Sequence, residues 1–490
     1  MINLPSFQYV LFGVLLACLL SCRHEPIDAE ISAYPKDIAR ILEKNCAVSG
    51  CHNAQSAPGA GGLNLESWTS LFHGSRGGSP VIPYSPELSY LMFSVNTDST
   101  LGPVLTPTMP YDLPPLSSQE YSTLWNWIYD GALNKNGEER FPPDPNRRKW
   151  YVGHEICDDV AIFDAESRQI MRYIDVGEDP MSVEYVFDIQ ISPDGKDWFV
   201  VFFGGNKYIS RYSTTNDKKI ADIPMDYYGW SGLAISPDGK FAFACSEHFL
   251  LMQAIDLSKN TAVGPLIGFD YPVRAPVVHP LKKQVYLAEY IDRSLIVVDY
   301  DDAGQLSNKR SVDLIQGFPS AIIGDVWPSE IFFLPDGSKY FVTCSHSNEV
   351  RVFDGGNDSL LEVIVLPASP SKMTYSIAKK RLFVSCTDDL VSWAGDPTKR
   401  GSIIMIDSET HQIEGKIYAG FQPYSIMVDD VDKILVVTNR NEDLSGPRPH
   451  HVSNCEGRNG YISLVDINTL EVISDYKPEI LAGPSTISGK

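Results

Sequence analysis

A turn that keeps returning constrains this chain more than any other feature. Ile191, Ser192, Pro193, Asp194, Gly195 and Lys196 recur as Ile235, Ser236, Pro237, Asp238, Gly239 and Lys240, with degenerate copies at residues 278–280, 334–337, 375–379 and 428–433. Between apolar runs, Pro sets φ, Asp bonds its own backbone and Gly takes the left-handed position, so each copy reads as a reversal between strands. A strand follows each turn, as at residues 198–201 and 340–343, and the next apolar run ends in a polar turn. Those second ends fall at Asp164, Ser213, Asp256, Asp299, Asp354, Asp407 and Asp466. Seven copies spaced 43 to 59 residues apart specify a radial repeat of about four strands per unit.

Six inner turns against seven copies leave one strand to be found. The first unit opens mid-blade at Lys149, while the last run of the chain, from Gly483, matches the inner-strand start at Gly420. The C-terminal run is therefore expected to supply the innermost strand of the first blade, closing the ring without an open sheet edge. The pattern resembles the YVTN-type β-propellers. That resemblance implies an all-β seven-bladed ring over residues 149–490.

The region before the ring reads differently. Residues 35–45 form an amphipathic helix, with Pro35 at its first turn and Ile38, Ile41 and Leu42 on one face. It leads directly into Cys46, and Cys51 and His52 follow. Two cysteines with an adjoining histidine are the arrangement that binds haem covalently, the thiols as thioethers and the imidazole as proximal ligand. The spacer here is four residues where two is usual, and a disulfide or part of a zinc site are the other readings of the pair. Near residue 117 a capping box, Ser117 with Glu120, opens a second helix whose apolar face is Leu124, Trp127 and Ile128. Just before it stands Met109, followed by Pro110. A thioether is a soft ligand suited to iron opposite an imidazole, which makes Met109 the expected sixth ligand and His73 the runner-up. Met92 reads as a core methionine.

Helix, cysteine pair with histidine, Met109–Pro110 and a Trp-bearing last helix together resemble a class I cytochrome c domain, in the variant common in planctomycete and Bacteroidetes proteins. The resemblance covers residues 35–132. It implies a small all-α domain holding one covalent haem c for electron transfer with a redox partner protein. Residues 133–148, polar and proline-rich, read as a semi-stiff tether between the two folded units.

Residues 9–20 are apolar but short for a bilayer span, and Leu19, Leu20, Ser21 and Cys22 resemble a bacterial lipobox. The expectation is a signal peptide over residues 1–21, lipid on Cys22, and a tether over residues 22–34. The mature chain then sits on a membrane surface outside the cytoplasm, in the periplasm or on the outer membrane of a Gram-negative cell. A net charge of −22 excludes nucleic acid as a partner.

Nine cysteines divide unevenly. Cys18 leaves with the signal, Cys22 takes lipid, and Cys46 and Cys51 take haem. Cys245, Cys344 and Cys386 share one repeat position and read as small core residues. Cys157 and Cys455 fall in loops of blades one and seven, neighbours across the ring closure, where a disulfide would lock the seam. The loops on that face also carry His154, Glu155, Asp158, Asp159, Glu247, His248, Arg293, His346, Asn348, Asp388, Asp389, Arg440, Arg448, His450 and His451. Five histidines on one mouth are either a solvated loop face or a site for copper or a second haem. His279 and His411 fall in turns on the opposite face. Three function classes follow. The first is an electron-transfer lipoprotein whose propeller docks a partner or ligand. The second is a periplasmic oxidoreductase with another redox centre in the ring, and the third a non-catalytic binding scaffold. No GxSxG or HExxH pattern supports a hydrolase, and the one SxxK match, Ser369 to Lys372, lies in a proline-broken turn.

Overall fold

The computed structural model describes residues 32–179, 181–317, 326–449, 455–473 and 476–490. The expected lipidation residue Cys22, like His450 and His451, lies outside them. Twenty-eight strands form seven antiparallel sheets of four, the blades of a ring. Blade one is assembled from both ends of the chain. Pro484–Gly489 pairs with Lys149–His154, followed outward by Asp159–Asp164 and Gln169–Asp175. The C-terminal run is thus the innermost strand, in register with Tyr151 opposite Ser488.

The repeated turn folds as its composition dictates. Asp194 Oδ1 accepts from Ser192 Oγ at 2.7 Å and from Lys196 N at 3.2 Å, while Ser192 Oγ accepts from Asp197 N at 3.0 Å. Gly195 closes it at φ +68°, the left-handed region open to glycine. Acidic turns work by the same means: Asp407 Oδ1 accepts from Glu409 N and Thr410 N, and Asp466 Oδ1 from Asn468 N and Thr469 N. Cys344 and Cys386 end the second strands of their blades and Cys245 stands one residue before the end of its own, all three fully buried and outside any disulfide.

Among the described residues four short α-helices precede the ring: α1 (Lys36–Asn45), α2 (Trp68–Leu71), α3 (Tyr90–Val95) and α4 (Ser118–Tyr129). The capping box of Ser117 and Glu120 starts α4, and Lys44 Nζ reaches Glu120 at 2.8 Å to join α1 to it. No helix among the described residues is long and apolar enough to cross a membrane.

The helices do not form a separate unit on a tether. One apolar cluster runs from Tyr34, Leu42, Trp68 and Trp127 through Phe141 into Tyr151, Ile162 and Trp198 of blades one and two. Residues 133–148 are pinned along their length. Lys135 N donates to Ala33 O, Asp144 N to Thr215 O, Arg172 Nη2 to Phe141 O, and Arg147 pairs with Asp164 at 2.8 Å. A stretch that looks solvated by composition is held because one aromatic, Phe141, is buried in the joint.

Where the helices sit is written in the outer strands. Elsewhere these face solvent, as Thr261–Gly268 and Leu306–Asp313 do, but Gln169–Asp175 of blade one and Glu479–Ala482 of blade seven are largely buried. The helical layer covers the seam where the ring closes.

Candidate functional site

The end of α1 positions the cysteine pair. Cys46 N and Ala47 N both donate to Leu42 O, and the chain then turns back so that His52 N donates to Cys46 O at 3.0 Å. Gly50, at φ +84° and in open space, allows that turn, so four intervening residues still bring His52 beside Cys46. Leu65 N fixes the far side by donating to His52 O at 2.8 Å. Both thiols are free. Burial pushes the Cys46 thiol up to about 12, and Cys51 beside it adds to the rise. Burial lowers the His52 pKa, partly opposed by the Leu63 carbonyl, and its Nδ1 is buried without a well-formed hydrogen bond.

Cys46, His52 and Met109 meet in one cavity of about 520 Å³, within the range of small-molecule and cofactor sites. Leu63, Leu65, Ile82 and Leu91 line it from the helical side, and Ile170, Tyr173, Ile480 and Leu481 from blades one and seven. Met109 is half-buried against the helical core, its N–H donating to Ser94 O at 2.7 Å. His73 is exposed and does not line the cavity, and Met92 is buried in the core.

Sequence reading missed the propeller's half of this wall. The one signal was the apolar character of Ile170 and Ile480.

The joint is tight where the two parts touch. Ser79 Oγ accepts from Ile170 N at 2.7 Å, and Lys477 N donates to Arg76 O at 2.9 Å. Gly78, at φ +98°, lies so close to Pro478 that a Cβ there would stand 2.6 Å from the proline's Cβ. Gly78→Ala is therefore expected to force the helical layer off blade seven, costing about 1–3 kcal/mol in urea unfolding. A variant as stable as the parent would show that this contact yields freely.

At the same seam a disulfide joins Cys157 to Cys455, with their Cα atoms 5.2 Å apart.

The loop-face residues do not gather into a site. His154 is not in a loop; it ends its strand, fully buried, its ring 5.9 Å from Tyr173. His346 stacks on Trp327 at 4.4 Å, and His248 lies against Tyr228 and Phe249. The acids are mostly taken up between blades. Glu247 pairs with Arg274 at 2.6 Å, Glu155 with Arg440 at 3.0 Å, and Asp388 with Arg400 at 2.8 Å. Asp158 accepts from Glu184 N and Tyr185 N, and Asp389 from Ser402 Oγ. Asn348 Oδ1 accepts from Ser369 N, while Arg293 and Arg448 are exposed. His279 and His411 are engaged by Gly355 O and Glu362. Lys372 pairs with Glu330 at 3.3 Å rather than with a serine. No group of three or more His, Cys, Asp or Glu among the described residues is arranged to hold a metal ion.

The fold is that of a seven-bladed β-propeller with a helical layer over its closing seam, a scaffold suited to binding or docking. No family model and no curated protein matches the chain. Among solved structures it is similar to the hydrazine synthase of Kuenenia stuttgartiensis, with 16% identity and a TM-score of 0.47 over 64% of this chain and 92% of that one. It is also similar to a functionally unknown protein from Desulfotomaculum acetoxidans, with 15% identity and a TM-score of 0.49 over 69% and 99%. Neither likeness bears on what this chain does.

Proposed function

We propose that the chain is a haem-c electron-transfer protein whose propeller docks a redox partner or ligand. The observation that carries the reading is the meeting of Cys46, His52 and Met109 in one largely apolar cavity. Cys46, an imidazole and a thioether line the cavity, while Cys51 is half-buried and outside its lining. This donor set suits a covalently held haem better than a bare ion, which would need further ligands that the described residues do not group there. Cys46 and Cys51 would hold the porphyrin, with His52 as proximal ligand and Met109 as the sixth. When bound, the haem supplies a one-electron couple.

The chain's own residues set the conditions for that couple. Burial lowers the His52 pKa and so favours the ring form with a lone pair to give, against the opposing Leu63 carbonyl. Leu63, Leu65, Ile82, Ile170 and Leu481 give the cavity an apolar wall. As a second ligand to the iron, the Met109 thioether would raise the reduction potential. A lipid on Cys22 would hold the whole at a membrane surface in the cell envelope.

The test is material from cells that mature c-type cytochromes, denatured and assayed as the pyridine haemochrome. One haem per chain is expected, with Met109→Ala losing the weak band at the red edge of the visible spectrum. Colourless protein, or haem with a spectrum unmoved by that change, would overturn the electron-transfer reading or the role of Met109 respectively.

A further inference from the structure

Two neighbouring blades depart from the pattern of the ring. In blades one to five the second and third strands are joined by residues 155–158, 203–207, 247–250, 290–293 and 345–348. In blades six and seven the same connections run over residues 387–401 and 440–458. Long loops on a repeated scaffold are where binding surfaces are built. Arg400 ties one insertion to the other, reaching Asp388 in its own loop at 2.8 Å and Asp443 in the next at 2.6 Å. Arg458 Nη2, donating to Gly446 O at 2.8 Å and Pro447 O at 2.6 Å, holds the turn that follows Asp443.

Both insertions contribute to a cavity of about 540 Å³, within the range of small-molecule sites. Tyr418, Tyr461 and Tyr476 are its aromatic walls, with Thr398, Ser445 and Ser463 among them. Each ring is fixed by its polar end. Tyr418 OH donates to Thr398 O at 3.2 Å, Tyr461 OH accepts from Phe421 N at 2.7 Å, and Tyr476 OH donates to Arg168 O. What the tyrosines offer is therefore ring surface that is already ordered. The hydroxyls complete the set. Ser445 and Thr398 donate to Asp443 and Asp396 and keep their oxygens as acceptors, while Ser463 Oγ accepts from Asn439 Nδ2 and keeps its proton to donate. Among the described residues no carboxylate lines the cavity, and its one ammonium, on Lys477, lies 4.0 Å from the centre of the Tyr461 ring.

We propose that this cavity binds a neutral sugar ring. Such a ring has an apolar C–H face to lie on aromatic rings, and hydroxyls that both donate and accept. A cation would want carboxylates, and an anion would have to draw the Lys477 ammonium off its tyrosine. A flat aromatic ligand would leave the serine and threonine hydroxyls unmatched. This gives the binding scaffold a ligand class and stands whether or not the chain carries haem.

The experiment titrates full-length protein with cellotetraose, mannotetraose and chitotetraose by isothermal calorimetry. At least one is expected to bind with a dissociation constant in the millimolar range or below. Tyr418→Ala should weaken that binding about two- to tenfold, the range of one ring contact, and Tyr418→Phe, which keeps the ring, should restore it. Thr398 is exposed at the cavity, so Thr398→Trp should fold and block the sugar. Failure of all three sugars to bind would overturn the site, as would equal binding by the parent, Tyr418→Ala and Thr398→Trp. Binding of trigalacturonate alone, lost in Lys477→Gln, would overturn the neutral ligand. Haem content, measured on the same material, reports separately on the electron-transfer reading. If Tyr418→Ala fails to fold, Thr398→Trp carries the test.

Discussion

Replacing Asp217 by asparagine is expected to cost about 3 kcal/mol of unfolding free energy, the lower end for removing one partner of a buried ion pair. Lys149 Nζ reaches Asp217 at 2.8 Å and Thr214 O at 2.6 Å, and the two side chains are 1% and 0% exposed. Tyr151 OH donates to the same carboxylate at 3.4 Å, and Arg172 Nε lies 3.8 Å away. Burial lowers the Lys149 pKa and the Asp217 charge opposes that, so without the carboxylate the ammonium is left in a dry site with one carbonyl. The pair binds the first strand of the ring to blade two, and Lys490 N closes on Lys149 O at 2.9 Å in the same place. Asparagine is the cleaner probe because residue 217 sits at φ +58°, which Asn tolerates. Asp217→Ala is expected to lose about 1 kcal/mol more for that conformation. Urea unfolding decides it: a loss below about 1 kcal/mol in both variants would mean that water replaces the carboxylate at no cost. Replacing Lys149 by methionine in the Asp217→Asn background should recover stability, since two neutral side chains leave no buried charge.

That pair was invisible beforehand. Lys149 marks only the opening of the first blade in the sequence, Asp217 carries no signal, and nothing in their spacing brings them together. Ring closure, by contrast, was legible, because the run from Gly483 repeats a pattern set by local turn chemistry. Local signals also placed α1, the capping box of α4 and the turn glycines. What composition could not show was tertiary: residues 133–148 looked like a tether because they are polar, and the burial of Phe141 together with the Lys135, Asp144 and Arg147 contacts holds them against the ring. His154 was assigned to a solvated mouth because periodicity cannot fix a strand end to one residue. The candidate site was half legible. Cys46, His52 and Met109 announce their chemistry by residue type, whereas Ile170, Tyr173 and Lys477 join the cavity only through the docking of two parts distant in sequence.

His154 and Asp159 face each other across one register step of blade one, and their titrations are expected to hide one another. Burial holds the His154 pKa down to about 3, with only the Asp159 carbonyl opposing it. Burial, then the charges of Asp175, Asp158 and Glu87, push the Asp159 carboxyl up to about 8. With the histidine near 6.5 when unfolded, its contribution is whole above that pH and drains as pH falls toward 3, about 3 kcal/mol by pH 4. The carboxyl, near 3.9 when unfolded, runs the other way: its contribution is whole below pH 4 and is lost as pH rises through 8. Between pH 4 and 6.5 the two slopes largely cancel, the carboxyl's being the shallower because Asp159 keeps some contact with solvent. Each single replacement uncovers its neighbour. Relative to the parent, His154→Phe should gain stability as pH falls from 6.5 to 4, by about 3 kcal/mol. Asp159→Asn should gain it as pH rises from 4 to 8, by a few kcal/mol at most. Urea midpoints at pH 4, 6.5 and 8 for the three proteins read this directly. Parallel stability curves would mean that neither group is held away from its ordinary titration, and that the seam between blades one and seven admits water.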